Sequence, residues 1–184
     1  MLRCFVAIGL PAEVQTALAR LQAALPLPRP AAAESFHLTL AFLGDIVETA
    51  ADEAHLALAA LRAPGFALTL EGVALFGGAK PRVVYAAVAP QPALMALQAK
   101  VEVALRRAGL SPDARRFTPH VTLGRLTGGR AEAARVEAAA AAAAGFRAGP
   151  WRVAHFGLWR SDPAPGGRIH AEIMRYPLTA GRAG

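Results

Sequence analysis

The chain has 184 residues, 54% of them hydrophobic, enough to bury a core and to exclude a disordered polymer. Its 20 Lys and Arg outweigh 13 Asp and Glu for a net charge of +7. Nearly all of that charge is Arg, whose planar fork suits phosphate oxygens, so a polyanionic partner fits, although the same bias arises in GC-rich coding sequence.

Cys4, the one cysteine, rules out an internal disulfide, a Cys-built zinc site and a Cys-x-x-Cys redox pair. Pro11 and Glu13 interrupt the N-terminal apolar run before a signal segment develops. No uncharged apolar stretch reaches the roughly 18 residues that span a bilayer, so a soluble cytoplasmic protein is expected.

In chain order, "RCFVAI" reads as a buried strand, and after Pro11 the residues Val14, Leu18, Leu21 and Leu25 recur at helical spacing. The Pro-rich loop "PLPRPAAAE" leads into the strand "FHLTLAFL". A helix over "TAADEAHLALAALRA" is closed by Pro64 and Gly65, and "FALTLEGVALFG" supplies one or two strands. The strand "RVVYAAVA" starts the order again, followed by a helix with Leu94, Leu97, Val101 and Leu105 on one face, ending at Gly109. The loop "SPDARRFTP", the strand "HVTLGRL", a helix over "RAEAARVEAAAAAAA", and the strands "WRVAHFGLWRS" and "IHAEIMRYPL" complete it. Seven alanines at 138 to 144 look like low complexity, but Ala is the best helix former and Val136 anchors them, so they read as a closely packed helix.

Each half therefore runs strand, helix, His-x-Thr strand, helix, strand, an internal duplication with repeats of about 1–80 and 81–184. The predicted fold is α+β, one bilobal domain over 1–184. Its two antiparallel sheets carry helices on their outer faces and flank a central cleft. The first strand can pair with its own half or with the last strand, and the order of elements leaves both open.

The duplicated motif carries the chemistry. Alternate residues of a strand share a face, so His37 and Thr39 point one way while Leu38 and Leu40 pack the other; His120 and Thr122 repeat the arrangement. Imidazole titrates near neutral pH, so one of two facing histidines can accept a proton while the other donates one. In-line displacement at phosphorus needs a base on the attacking oxygen and an acid on the leaving oxygen, on opposite sides of the phosphate. The two threonine hydroxyls, backbone amides and Arg125 can hold the non-bridging oxygens.

A single His-x-Thr is best read as an ordinary core strand. Two copies at equivalent points of a repeat favour the catalytic reading. His55, His155 and His170 receive no role. No metal site is expected, since neither motif has a nearby Cys or His and Asp45 alone is insufficient. "GVALFGGA" has the glycine spacing of a phosphate-binding loop, but Gly78 stands where Lys is required, so no nucleotide cofactor is expected.

The segments "RCFVAIGLP", "ESFHLTLAFLGD", "KPRVVYAAV", "RRFTPHVTLGRL" and "LWRSDPAPGGRIHAEIMRYPL" resemble, in order and spacing over nearly the whole chain, the bacterial and archaeal RNA 2',3'-cyclic phosphodiesterases. These are also called 2'-5' RNA ligases, within the two-histidine phosphoesterase superfamily. The resemblance implies opening of a terminal 2',3'-cyclic phosphate to a 2'-phosphate without metal or cofactor, and in some members formation or reversal of a 2'-5' linkage. It implies His37 as proton donor to the ribose 3'-oxygen, His120 as proton acceptor from water, and Thr39, Thr122 and Arg125 on the phosphate. The symmetry permits those two histidine roles to exchange when the reaction reverses.

The implied partner is RNA with 2',3'-cyclic phosphate ends, tRNA fragments being one source, acted on by a monomer. Arg82, Arg115 and Arg116 are candidates for the RNA backbone or are simply solvated arginines. His170 departs from the family, standing where many relatives have Tyr. Two other readings are a phosphodiesterase of small cyclic nucleotides or ADP-ribose cyclic phosphate, and a non-catalytic RNA-binding module. The two intact motifs count against the module.

Overall fold

The computed structural model describes residues 1–78, 80–165 and 167–180. The chain runs β1 (Leu2–Gly9), α1 (Ala12–Ala23), β2 (Arg29–Pro30), a 3-10 turn (Ala33–Ser35), β3 (His37–Ile46), α2 (Glu48–Ala59), β4 (Phe66–Phe76), β5 (Val83–Val88) and α3 (Pro92–Arg107). Then follow β6 (His120–Arg125), α4 (Arg130–Ala142), β7 (Arg147–Val153), β8 (His155–Ala164) and β9 (Gly167–Pro177).

The helices form where the sequence repeats apolar residues every three or four positions. In α3, Leu94, Leu97, Val101 and Leu105 are buried, Pro92 opens the first turn, and the Gln91 side chain accepts a hydrogen bond from the Ala93 amide at 3.2 Å. The Ala-rich α4 has only Val136 and Ala140 fully buried, and its small side chains pack on β4.

All strand pairs are antiparallel, in the order β7-β4-β5-β6-β3-β1-β8-β9, with β2 lying along β6. The sheet divides at its centre. β3 and β6 share a single pair, Leu38 opposite Val121, because β2 occupies the rest of that β6 edge, with Arg29 opposite Arg125 and Pro30 opposite Gly124. Two four-stranded arms, β3-β1-β8-β9 and β6-β5-β4-β7, thus spread from one junction.

The first strand does pair with the C-terminal part of the chain. β1 lies against β8, and β4 of the first repeat lies against β5 of the second. The connecting helices cross as well: α1 packs against β6 and β7, while α3 packs against β3 and α2. The repeats are interlaced, and one contiguous core runs from Val6 and Leu38 through Val84, Val121 and Leu158.

The stretch "WRVAHFGLWRS", expected as one strand, is two. β7 ends at Val153 on one arm and β8 begins at His155 on the other. The cause is a change of phase: Trp151 and Val153 are the buried positions before the break, Phe156 and Leu158 after it. Alternation slips by one residue at Ala154.

Candidate active site

At the junction of the arms, Leu38 and Val121 are fully buried and point into the core, so His37, Thr39, His120 and Thr122 face the opposite, concave side. Antiparallel register around Leu38 and Val121 sets the motifs crosswise, His37 alongside Thr122 and Thr39 alongside His120. The four side chains are half-buried. Both imidazoles therefore reach one volume from two strands related by a local twofold.

Each ring is fixed in the same way. His37 Nδ1 lies 2.6 Å from the Ser35 carbonyl and His120 Nδ1 lies 2.7 Å from the Thr118 carbonyl, in both cases two residues back along the chain. A carbonyl only accepts, so Nδ1 carries hydrogen in both rings and Nε2 is left for chemistry. The His37 ring packs against Phe5 at 4.7 Å and Trp159 at 6.3 Å, with the edge of His170 at 5.1 Å. The His120 ring meets the edges of Phe76 at 4.9 Å and Tyr85 at 5.3 Å. Burial pushes the His37 imidazole down to about 4, reinforced by His170 and His120, and burial lowers His120 and His170 as well.

Arg125 reaches the same face through a bulge. Strict alternation from Thr122 would turn it to the outer side. However, Tyr85 pairs with Thr122, Val84 with Gly124 and Val83 with Arg125, so Leu123 is an extra residue and Arg125 returns to the face of Tyr85 and Thr122. Gly124 permits this crowding, since a Cβ there would lie 2.8 Å from the Arg29 carbonyl oxygen and 3.2 Å from Pro30 Cα. The first motif has a matching irregularity: Ala7 pairs with Thr39, Val6 with Ala41 and Phe5 with Phe42. Phe42 thus occupies the place of Arg125, with the Arg3 guanidinium 5.0 Å from its ring centroid.

The other basic candidates are differently employed. Arg82 donates to the Thr127 carbonyl at 2.8 Å and braces the turn into α4, and Arg115 is paired with Asp113 on the loop before β6. Arg116 is exposed. His55 on α2 bonds the Tyr176 hydroxyl at 3.1 Å, away from the junction.

Phe5, Trp159, Phe76, Tyr85 and His170 were not legible as site residues. They arrive through β1–β8–β9 and β4–β5 pairings that cross the sequence repeats. The local signal that could have found Trp159 and His170 is the slip at Ala154, which separates β8 from β7 and sends it to the other arm. Among the described residues no three His, Cys, Asp or Glu side chains converge as a metal-ligand set. No helix there is long and apolar enough to cross a membrane.

The chain has relatives of known sequence and structure. An Escherichia coli RNA 2',3'-cyclic phosphodiesterase is 38% identical over 129 residues, covering 67% of this chain and 71% of that protein. A Geobacillus stearothermophilus protein of the same name is 36% identical over 129 residues. The chain spans less than two thirds of the Geobacillus and Aeropyrum pernix relatives, 41% and 55% of their lengths.

In crystal structures, Escherichia coli LigT complexed with 3'-AMP superposes with a TM-score of 0.77 at 29% identity, over 97% of this chain and 98% of that one. A Thermus thermophilus protein gives 0.75 at 26% identity over the same shares. The family model of the 2'-5' RNA ligase superfamily matches residues 10–165, from the loop after β1 to the end of β8, and so takes in both His-x-Thr strands. The chain belongs to the 2'-5' RNA ligase superfamily.

Proposed function

We propose that residues 1–184 act as one bilobal catalytic domain that hydrolyses RNA terminal 2',3'-cyclic phosphate to a 2'-phosphate, without metal or cofactor. The observation that carries the proposal is the crosswise pair of imidazoles, each with Nδ1–H held by a backbone carbonyl and Nε2 free. His120 Nε2 takes a proton from water as its oxygen bonds to phosphorus. The bond from phosphorus to the ribose 3'-oxygen breaks, and His37 Nε2–H protonates that oxygen. Thr39, Thr122 and Arg125 hold the non-bridging oxygens, where charge develops. A ribose hydroxyl in place of water gives the 2'-5' ligation direction. Both histidines come from one chain, so a monomer suffices; its compartment is the cytoplasm and its substrate RNA ends such as those of tRNA fragments.

The donor role of His37 depends on bound substrate. His37 is the more strongly desolvated ring, neutral in the free protein at neutral pH, and serves as donor only when the substrate phosphate anion restores its proton.

The deciding experiment is product analysis on RNA ending in a 2',3'-cyclic phosphate, with EDTA present. A 2'-phosphate product supports the proposal. A 3'-phosphate product overturns the regiochemistry, and activity lost in EDTA but restored by a divalent ion overturns the metal-free mechanism. Oligonucleotide affinity that falls steeply with salt favours RNA over the small-nucleotide substrates of the second reading.

A further inference from the structure

Beside the His37 arm lies a cavity of about 410 Å³, walled by the two connections that cross between the arms, Leu10–Pro11 and Val153–His155. The size is that of a small-molecule site. The chain has two tryptophans, Trp151 and Trp159, and both line this cavity. Trp159 is also the partition from the phosphate site, since its ring stacks on His37 at 6.3 Å, and its Cζ2 would lie 3.4 Å from a Cβ at Gly9. A Cβ at residue 9 would just touch the indole.

The polar groups of the wall are incompletely matched. Among the described residues three buried side-chain atoms have no hydrogen-bond partner, and all belong to the β8–β9 hairpin: Trp159 Nε1, His170 Nδ1 and Glu172 Oε1. The first and third belong to residues lining the cavity, and His170 touches His37. Glu172 Oε2 accepts from Arg175 Nε at 3.0 Å, while Oε1 has only His155 Nε2 at 4.0 Å, beyond hydrogen-bond reach. A buried acceptor and donor left unmatched beside a cavity cost stability unless something that enters matches them.

The wall chemistry selects the entrant. Three carboxylates, Glu13, Glu34 and Glu172, face two guanidiniums, Arg152 and Arg175, and Arg175 is already bound to Glu172. Phosphate is repelled. A flat, neutral group with N–H donors and a carbonyl or ring-nitrogen acceptor matches the carboxylate, the indole N–H and the indole faces together.

We propose that this cavity is a nucleobase subsite that receives the base of the nucleotide whose phosphate lies at His37, with Glu172 selecting bases that present N–H donors. The inference rests on the phosphodiesterase reading, in which the 3'-oxygen leaves toward His37 and so places the ribose on that arm. Guanine ranks first, because its adjacent N1–H and N2–H donors sit beside an acceptor oxygen. Uracil ranks last, because its single ring N–H in the pairing edge is flanked by two carbonyls that face the carboxylate.

Because both tryptophans line the cavity, intrinsic fluorescence reports occupancy without any turnover. Wild-type protein and Glu172→Gln are titrated with guanosine and uridine, which carry no phosphate, and kcat/KM is measured for the corresponding 2',3'-cyclic nucleotides. Saturable quenching, tighter for guanosine than for uridine, is expected in the wild type. The variant should narrow that ratio by about 10-fold, the lower end of a charge-assisted hydrogen bond. Quenching without preference in the wild type, or an unchanged ratio in a folded variant, overturns the subsite, and the wild-type ordering decides alone if the variant is unstable. Hydrolysis of both cyclic nucleotides at equal kcat/KM without quenching sinks the subsite and leaves the phosphodiesterase standing. Selective quenching without hydrolysis sinks the phosphodiesterase and leaves the subsite.

Discussion

Replacing Arg125 by Ala tests the bulge and the proposed phosphate site together. Arg125 stands at the end of β6, exposed, and reaches the concave face only because Leu123 is an extra residue between the Thr122 and Gly124 pairs. A hydrogen bond to a charged group contributes about 1.5–3 kcal/mol. Hydration of an exposed guanidinium discounts this to about 1.5–2 kcal/mol, or roughly 10- to 30-fold in kcat/KM. Folding stability should stay within about 0.5 kcal/mol of wild type, as for other surface substitutions. The assay is steady-state hydrolysis of a 2',3'-cyclic nucleotide beside urea unfolding, with Arg116→Ala on the exposed loop as the comparison. If Arg125→Ala matched Arg116→Ala within about 3-fold, the bulge argument would be refuted, since that is the behaviour of an outward-facing arginine.

His37→Ala and His120→Ala should each lower turnover by about 10² to 10⁴, the usual share of acid–base catalysis. In pH–rate profiles the alkaline limb should vanish with His37 and the acidic limb with His120; the reverse pattern would exchange donor and acceptor. Burial holds His37 at about 4 against an ordinary 6.5, so within that window the unfolded chain binds a proton that the folded chain refuses. Stability should therefore fall as pH drops through the window, by up to about 1.4 kcal/mol per pH unit for that histidine, and be level above it. Urea titrations of wild type and His37→Asn check this, the variant giving the flatter curve; identical slopes would contradict the burial of His37. Gly124→Ala should cost about 1–3 kcal/mol, because its Cβ meets the Arg29 carbonyl and Pro30 where β2 crosses β6. A melting temperature equal to wild type would show that β2 moves aside freely.

The two His-x-Thr strands were legible because the motif repeats at fixed places in a repeated order and because Leu38, Leu40, Val121 and Leu123 mark the packing face. The helices of α1 and α3 were legible from their 3–4 spacing. The partners of the strands were not, since register between distant segments is settled by packing rather than by local pattern. Hence Phe5, Trp159 and His170 came to His37 unannounced. Arg125 illustrates a subtler limit: its distance from Thr122 suggests the wrong face, and only the pairing of Val84 with Gly124 reveals the extra residue. The two-residue β2 within the Pro-rich loop likewise carries no periodic signal and exists through its contact with β6.

The interlacing of the repeats has a kinetic side. β1 finishes at Gly9, yet its neighbour β8 starts at His155, so the His37 arm closes only through contacts among the most distant in the sequence. Such nonlocal closure slows folding. A ribosome must have released nearly all of the chain before His37 gains its Trp159 wall, whereas β4, β5 and β6 follow one another and can assemble earlier. The paired-histidine site should thus appear late and all at once. A chain divided between the repeats should regain activity only when both pieces are present together, each supplying the strand that the other's sheet lacks.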